Sequence, residues 1–134
     1  MSQENVKLIV AANHAYNAGD LDTVLEFYAP DIEAFPDASV FPEAGPLHGH
    51  DEFRAWIEEI DSAWIGVRWD TTEVVALGSN RVLHRGDWGG EGAASGIVTR
   101  SSITGLFTVR DGRISRVEYF FDHDKALRAA ELEE

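Results

Sequence analysis

Cysteine is absent from this 134-residue sequence, and with it go disulfide bridges, thiolate nucleophiles and sulfur-ligated metal sites. Redox chemistry would need a borrowed cofactor. No apolar run approaches the roughly 18 residues that a membrane-spanning helix requires. The opening Met1-Ser2-Gln3-Glu4 lacks the basic and apolar regions of a secretory signal, so a soluble cytoplasmic protein is expected. Basic residues are scarce: 11 Lys and Arg against 24 Asp and Glu give a net charge of −13. Such a charge repels phosphate backbones and anionic lipid, which disfavours nucleic acid and membrane surfaces as partners. The acids are spread from Glu4 to a short Glu131-Glu133-Glu134 tail, as a solvated surface requires. No Gly-x-Gly-x-x-Gly opens a helix, no His-Glu-x-x-His is present, and the five histidines hold no zinc spacing. Neither a phosphate-binding loop nor a metal is therefore expected. Repeats and linkers are missing too, so residues 1–134 form one domain.

What is present is a folded globular composition, 44% apolar, with a change of period partway along the chain. Ser2 can cap a first helix in which Val6, Ile9, Ala12 and Tyr16 follow helical spacing up to a stop at Gly19. Asp20 caps a second, Leu21 to Tyr28, ended by Pro30, and residues 31–35 read as a short strand. All four prolines fall between Pro30 and Pro46, three of them in a loop over 36–49 that is long enough to cover a cavity mouth. A third helix runs from Asp51 to about Ser62, with Phe53, Trp56, Ile57 and Ile60 on one face. From Val67 the pattern alternates: strands over 67–77 and 81–88, a glycine-rich turn over 89–96, and a hairpin from Ile97 to Asp122. Asp122 then caps a terminal helix, Lys125 to Leu132. Helices preceding a run of antiparallel strands make the chain α+β, with helices packed on one face of a curved sheet.

The hairpin turns at Asp111-Gly112, the pair that a type I′ turn requires because both central residues need positive φ. Unbroken pairing outward from Val109/Ile114 puts Ile103, Phe107, Val109, Ile114 and Phe120 on one face, with Arg116 and Glu118. The other face carries Leu106, Val117 and Phe121 among the hydroxyls of Ser102, Thr104, Thr108, Ser115 and Tyr119. Hydroxyls among apolar groups suit a pocket wall, so Ser102, Thr104, Leu106 and Phe121 are candidate ligand contacts, opposite Tyr16 and Trp56. The apolar face is then the surface of a homodimer.

Several stretches together resemble a known family. Asn17-Ala18-Gly19-Asp20-Leu21-Asp22, Ala29-Pro30-Asp31, Gly49-His50-Asp51-Glu52-Phe53, Ser95-Gly96, Asp111-Gly112-Arg113-Ile114 and Asp122-His123-Asp124-Lys125-Ala126-Leu127 stand in the order found in SnoaL-like proteins of the nuclear-transport-factor-2-like superfamily. That resemblance implies a cone: three N-terminal helices packed in a strongly bent antiparallel sheet, a short C-terminal helix, a deep pocket and usually a homodimer through the outer sheet face. It implies no single chemistry, since the superfamily holds isomerases, dehydratases, polyketide cyclases, epoxide hydrolases and proteins that only bind or assemble. Where its ketosteroid isomerases keep a tyrosine and two aspartic acids this chain has Ala12, Pro36 and Thr104, with Asp37 one residue away. Arg85-Gly86-Asp87 matches the Arg-x-Asp of limonene-epoxide-hydrolase-like members, while Tyr119 stands where a second Asp would be.

Arg85 and Asp87, two apart on a strand, share a face, and a guanidinium beside a carboxylate in a pocket would keep the acid ionised as a base. Asp87, Arg85 and Tyr119 are thus the catalytic candidates, with Asp37 and His84 as alternative acid–base groups. The ordinary alternative for the pair is a surface ion pair. Two functions are consistent with these residues. One is cofactor-free proton transfer of the isomerase, lyase or hydrolase type on a small hydrophobic molecule; the other is a ligand-binding or dimeric assembly module with the same pocket.

Overall fold

The computed structural model describes residues 2–132. The side chain of Ser2, expected to cap the first helix, and the Glu133-Glu134 end of the acidic tail lie outside the described part. The elements are α1 (Ser2–Asn17), α2 (Leu21–Glu26), β1 (Tyr28–Phe35), β2 (Leu47–His48), α3 (Gly49–Asp61), β3 (Trp64–Leu77), β4 (Arg81–Gly92), β5 (Val98–Arg110), β6 (Arg113–Phe120) and α4 (His123–Leu132). Local chemistry sets most boundaries. Gly19 adopts φ +74° just past α1, Asp20 accepts the Thr23 amide at the start of α2, and Asp122 accepts from the amides of Asp124 and Lys125 to cap α4. The second helix ends at Glu26, earlier than its periodicity predicts, because Tyr28 and Ala29 are drawn into β1, where both are buried. No helix among the described residues is long and apolar enough to cross a membrane.

Six strands form one sheet in the order β2-β1-β6-β5-β4-β3. The pairs are antiparallel except β1–β6, which is parallel because the long loop and helix after β1 separate it from the hairpin in sequence. Irregularities in β3, after Ile65 and after Thr71, bend the long edge strand around the helices. Inside the bend, Ile9, Ala12 and Ala15 of α1 and Phe53 and Ile57 of α3 pack onto Val82, Ile103, Phe107 and Val117. Outside it, α4 lays Ala126 and Ala130 over Leu83 and Leu106 in a second, smaller cluster. Arg81 donates to the Ala130 carbonyl at 3.0 Å, which pins the C-terminal turn of that helix.

The hairpin turn matches its sequence, with Asp111 at φ +54° and Gly112 at φ +76°. The register beyond it does not. Val109 opposes Ile114, but Thr108 opposes Arg116, so Ser115 is an extra residue in β6 and every later pair is shifted by one. Phe107 faces Val117, Gly105 faces Tyr119 and Thr104 faces Phe120. The apolar face turns inward: Ile103, Phe107 and Val109 belong to the main core, and Phe120 packs beneath α4 with Leu83 and Leu106. The apolar outer patch expected to carry a dimer is therefore consumed within one chain. The physical reason is that three large apolar side chains release more free energy in the core than a row of hydroxyls.

His84 of β4 lies wholly buried against the edge of Trp69, with ring centroids 4.3 Å apart. Asn13 donates to Thr71 Oγ1, which in turn hydrogen-bonds His84 Nε2 at 2.8 Å. Burial pushes the imidazole down to about 4. A base lowered on folding is neutral in the native state, so its contribution is complete above the unfolded value of about 6.5 and is lost as pH falls toward 4. Denaturant melts at pH 7.5 and pH 4.5 should show wild type losing about 3 kcal/mol more than His84→Leu; equal losses would contradict this account.

Candidate functional site

The concave side of the sheet and the helices enclose a cavity of about 90 Å³. Each element reaches it through helical or alternate-residue spacing. Asn13 and Tyr16 come from α1, Phe53, Trp56 and Asp61 from α3, and Trp69, Trp88, Phe107 and Tyr119 from β3 to β6. A wider depression of about 350 Å³ shares Phe41, Ile60, Trp88 and Phe121 with it and forms its mouth. Phe41, from the loop after β1, sets its ring edge-on to Trp56 at 5.8 Å and to Phe121 at 5.9 Å. Asp37 holds that loop against the end of β6, because its carboxylate accepts from the Phe121 amide at 2.8 Å and from Ser39. Burial raises the Asp37 carboxyl, but those hydrogen bonds outweigh it and keep the group below its ordinary range.

The wall is anchored at Trp69. Asn17 accepts from the Trp69 amide at 2.7 Å and donates to its carbonyl at 3.0 Å, and Asn13, one turn earlier, donates to the same carbonyl at 2.9 Å. These i, i+4 amides satisfy the backbone of the edge strand and fix α1 across it. Glycine on the neighbouring strands makes room for the indole: a Cβ at Gly86 would lie 2.9 Å from Trp69 Nε1, and one at Gly105 would lie 3.1 Å from its Cη2.

Polar groups converge at one end. Trp88 Nε1 donates to the Tyr16 hydroxyl at 2.9 Å, and Tyr16 donates to Asp61 Oδ1 at 3.2 Å. Asp61 is the single carboxyl among the described lining residues, and no Lys, Arg or His joins it. Burial raises its carboxyl, while the bond from Tyr16 pulls the other way. Burial also raises the phenols of Tyr16, Tyr28 and Tyr119, the last two of which hydrogen-bond each other. The indole nitrogens of Trp56 and Trp69 and the amide oxygen of Asn13 are buried without a partner. No group of three or more His, Asp or Glu side chains comes together among the described residues.

Of the residues singled out from the sequence, Tyr16, Trp56, Tyr119 and Phe121 meet at this cavity. The others do not. Arg85 and Asp87 lie on the outer face of β4, where Arg85 Nε donates to Ser102 Oγ at 3.3 Å and the Asp87 side chain is exposed. Alternation explains this: Trp88 and His84 point inward, so their neighbours point out. Ser102, Thr104 and Leu106 fall on the same outer face because Ile103 and Phe107 take the core, and the Ser115 bulge parts them from Tyr119. There Thr104 Oγ1 bonds His123 Nδ1 at 2.8 Å and Leu106 packs under α4. Asp61 was overlooked, although an acid beside Glu58 and Glu59 in the last turn of a helix without a basic residue runs against the macrodipole.

With the cavity and its bent sheet in view, comparison with known proteins decides the family. The profile of the SnoaL-like domain matches residues 9–117. The chain belongs to that family. No curated protein matches the sequence. Among solved structures, TerC co-crystallised with polyporic acid is 22% identical to this SnoaL-like chain, with a TM-score of 0.78 over 96% of this chain and 98% of the other. An NTF2-like protein of unknown function from Burkholderia pseudomallei is 23% identical, with a TM-score of 0.79 over 93% and 95%. A hypothetical protein with a ketosteroid isomerase-like fold from Catenulispora acidiphila, in complex with trimethylamine, is 16% identical, with a TM-score of 0.73 over 84% and 83%. These likenesses establish the α+β, NTF2-like fold of the SnoaL-like chain.

The Tyr16–Asp61 bond makes a direct prediction. Tyr16→Phe removes the hydrogen bond that favours the ionised carboxylate, so the Asp61 midpoint should rise above that of wild type in a carbon-detected NMR titration. An unchanged or lower midpoint would show that the phenol does not tune the acid.

Proposed function

We propose that this SnoaL-like protein binds a small, largely apolar organic molecule in the inner cavity and moves a proton on it without a cofactor, with Asp61 as the acid–base group. The observation that carries this reading is the placement of one carboxyl, hydrogen-bonded to a half-buried phenol, at the polar end of an otherwise aromatic and aliphatic cavity. A carboxylate raised by burial is a stronger base than a solvated one, and Tyr16 orients it. The unpartnered nitrogens of Trp56 and Trp69 and the Asn13 oxygen support a guest that supplies complementary polar atoms. The structures of polyketide cyclase type among its likenesses, such as one from Sinorhizobium meliloti, accord with chemistry of this class. Arg85 and Asp87, on the other face of the sheet, take no part.

A second reading, binding without turnover, is favoured by the lack of a second carboxyl at the cavity among the described residues. One experiment separates the two. Small ketones incubated with the protein in D₂O should exchange hydrogen next to the carbonyl. That exchange should fall by about two orders of magnitude or more in Asp61→Asn and stay unchanged in Asp87→Asn. Exchange at the same rate in Asp61→Asn would remove the catalytic assignment, and ligand binding with no exchange in wild type would leave the binding reading.

A further inference from the structure

We propose that the inner cavity takes a small organic cation, an amine or quaternary ammonium group seated among its aromatic walls with Asp61 as counter-ion. This rests on the cavity being the ligand site, as read above, and names the class of molecule.

The walls supply the first observation. The rings of Trp56 and Tyr119 lie 5.6 Å apart and those of Trp69 and Tyr119 6.1 Å apart, so aromatic side chains from α3, β3 and β6 run together along the lining, with Tyr16 and Trp88 at its polar end. The negative face of an aromatic ring attracts a cation within about 6 Å of its centroid, and tryptophan does so most strongly.

Charge supplies the second. Asp61 puts a negative charge on the lining and no basic side chain opposes it. It is the last residue of α3, where terminal carbonyls already make the helix end negative, and Glu58 and Glu59 stand in the same turn. A helix ordinarily carries Lys or Arg there. The reversed arrangement costs stability in the empty protein and is relieved by a bound cation. A neutral guest draws nothing from it.

Size supplies the third. A cavity of about 150 Å³ admits benzene. The smaller inner volume here, about 90 Å³, suits a compact ammonium head whose remainder extends into the mouth of about 350 Å³.

Choline and 3,3-dimethylbutan-1-ol have the same shape and differ in a charged nitrogen against a neutral carbon. Calorimetric titration of the full chain at fixed ionic strength should show choline binding at least about tenfold more tightly. Asp61→Asn should cut that preference several-fold, the aromatic walls retaining the remainder, and Asp87→Asn, with the same change of net charge on the outer face, should keep it whole. Equal binding of the two probes to wild type overturns the cation proposal and leaves the cavity a ligand site. Binding of neither overturns both. A preference undiminished in a folded Asp61→Asn removes Asp61 as the counter-ion. The wild-type comparison is decisive whether or not the variant folds.

Discussion

Ser115 has no partner across the β5–β6 ladder, so Ile114 and Val117, three positions apart in sequence, are both wholly buried. In an unbroken strand they would face opposite ways. The bulge settles which side chains share the interior: beyond it Val117, Tyr119 and Phe121 point inward with Ile103, Gly105 and Phe107. The cavity exists in its present form because of that shift. The same displacement gives α4 an apolar seat on the outside, since Leu106 and Phe120 are turned toward it.

The second constraint is the tie between α1 and the edge strand. Asn13 and Asn17 close the backbone groups of Trp69 as a neighbouring strand would, so a helix terminates one side of the sheet. Tyr16 lies between these two residues on the same helix and thereby reaches Asp61 and Trp88. The polar end of the cavity is thus positioned by groups whose main contacts are structural. Half-burying a carboxyl there, at the wrong end of a helix dipole, is a departure from local stability of the kind that functional sites carry.

Much of the fold was legible because it is written in short-range chemistry. Asp111-Gly112 demands its turn, Gly19 closes the end of the first helix, and Asp122 caps the terminal helix. The ordered family stretches added the cone and its helices. The facing of the strands was not legible, because a bulge leaves no mark on composition and one inserted residue reverses which residues of β5 share a face with those of β6 beyond it. Arg85-Gly86-Asp87 looked chemical as a string, yet its neighbours His84 and Trp88 are the ones that face inward. Helical spacing put Tyr16 and Trp56 on inward faces, and both line the cavity. Asp61 had only its position on a helix to give it away.

The loop that carries Phe41 is fastened by Asp37 to the amide of Phe121, and both rings stand where the cavity meets its mouth. Threshold and doorpost are therefore joined: the loop cannot swing aside without releasing the first residue beyond β6. The rings of Phe41 and Phe121 are thus held together by a contact that lies outside the cavity, so the rim and the interior are built from separate interactions.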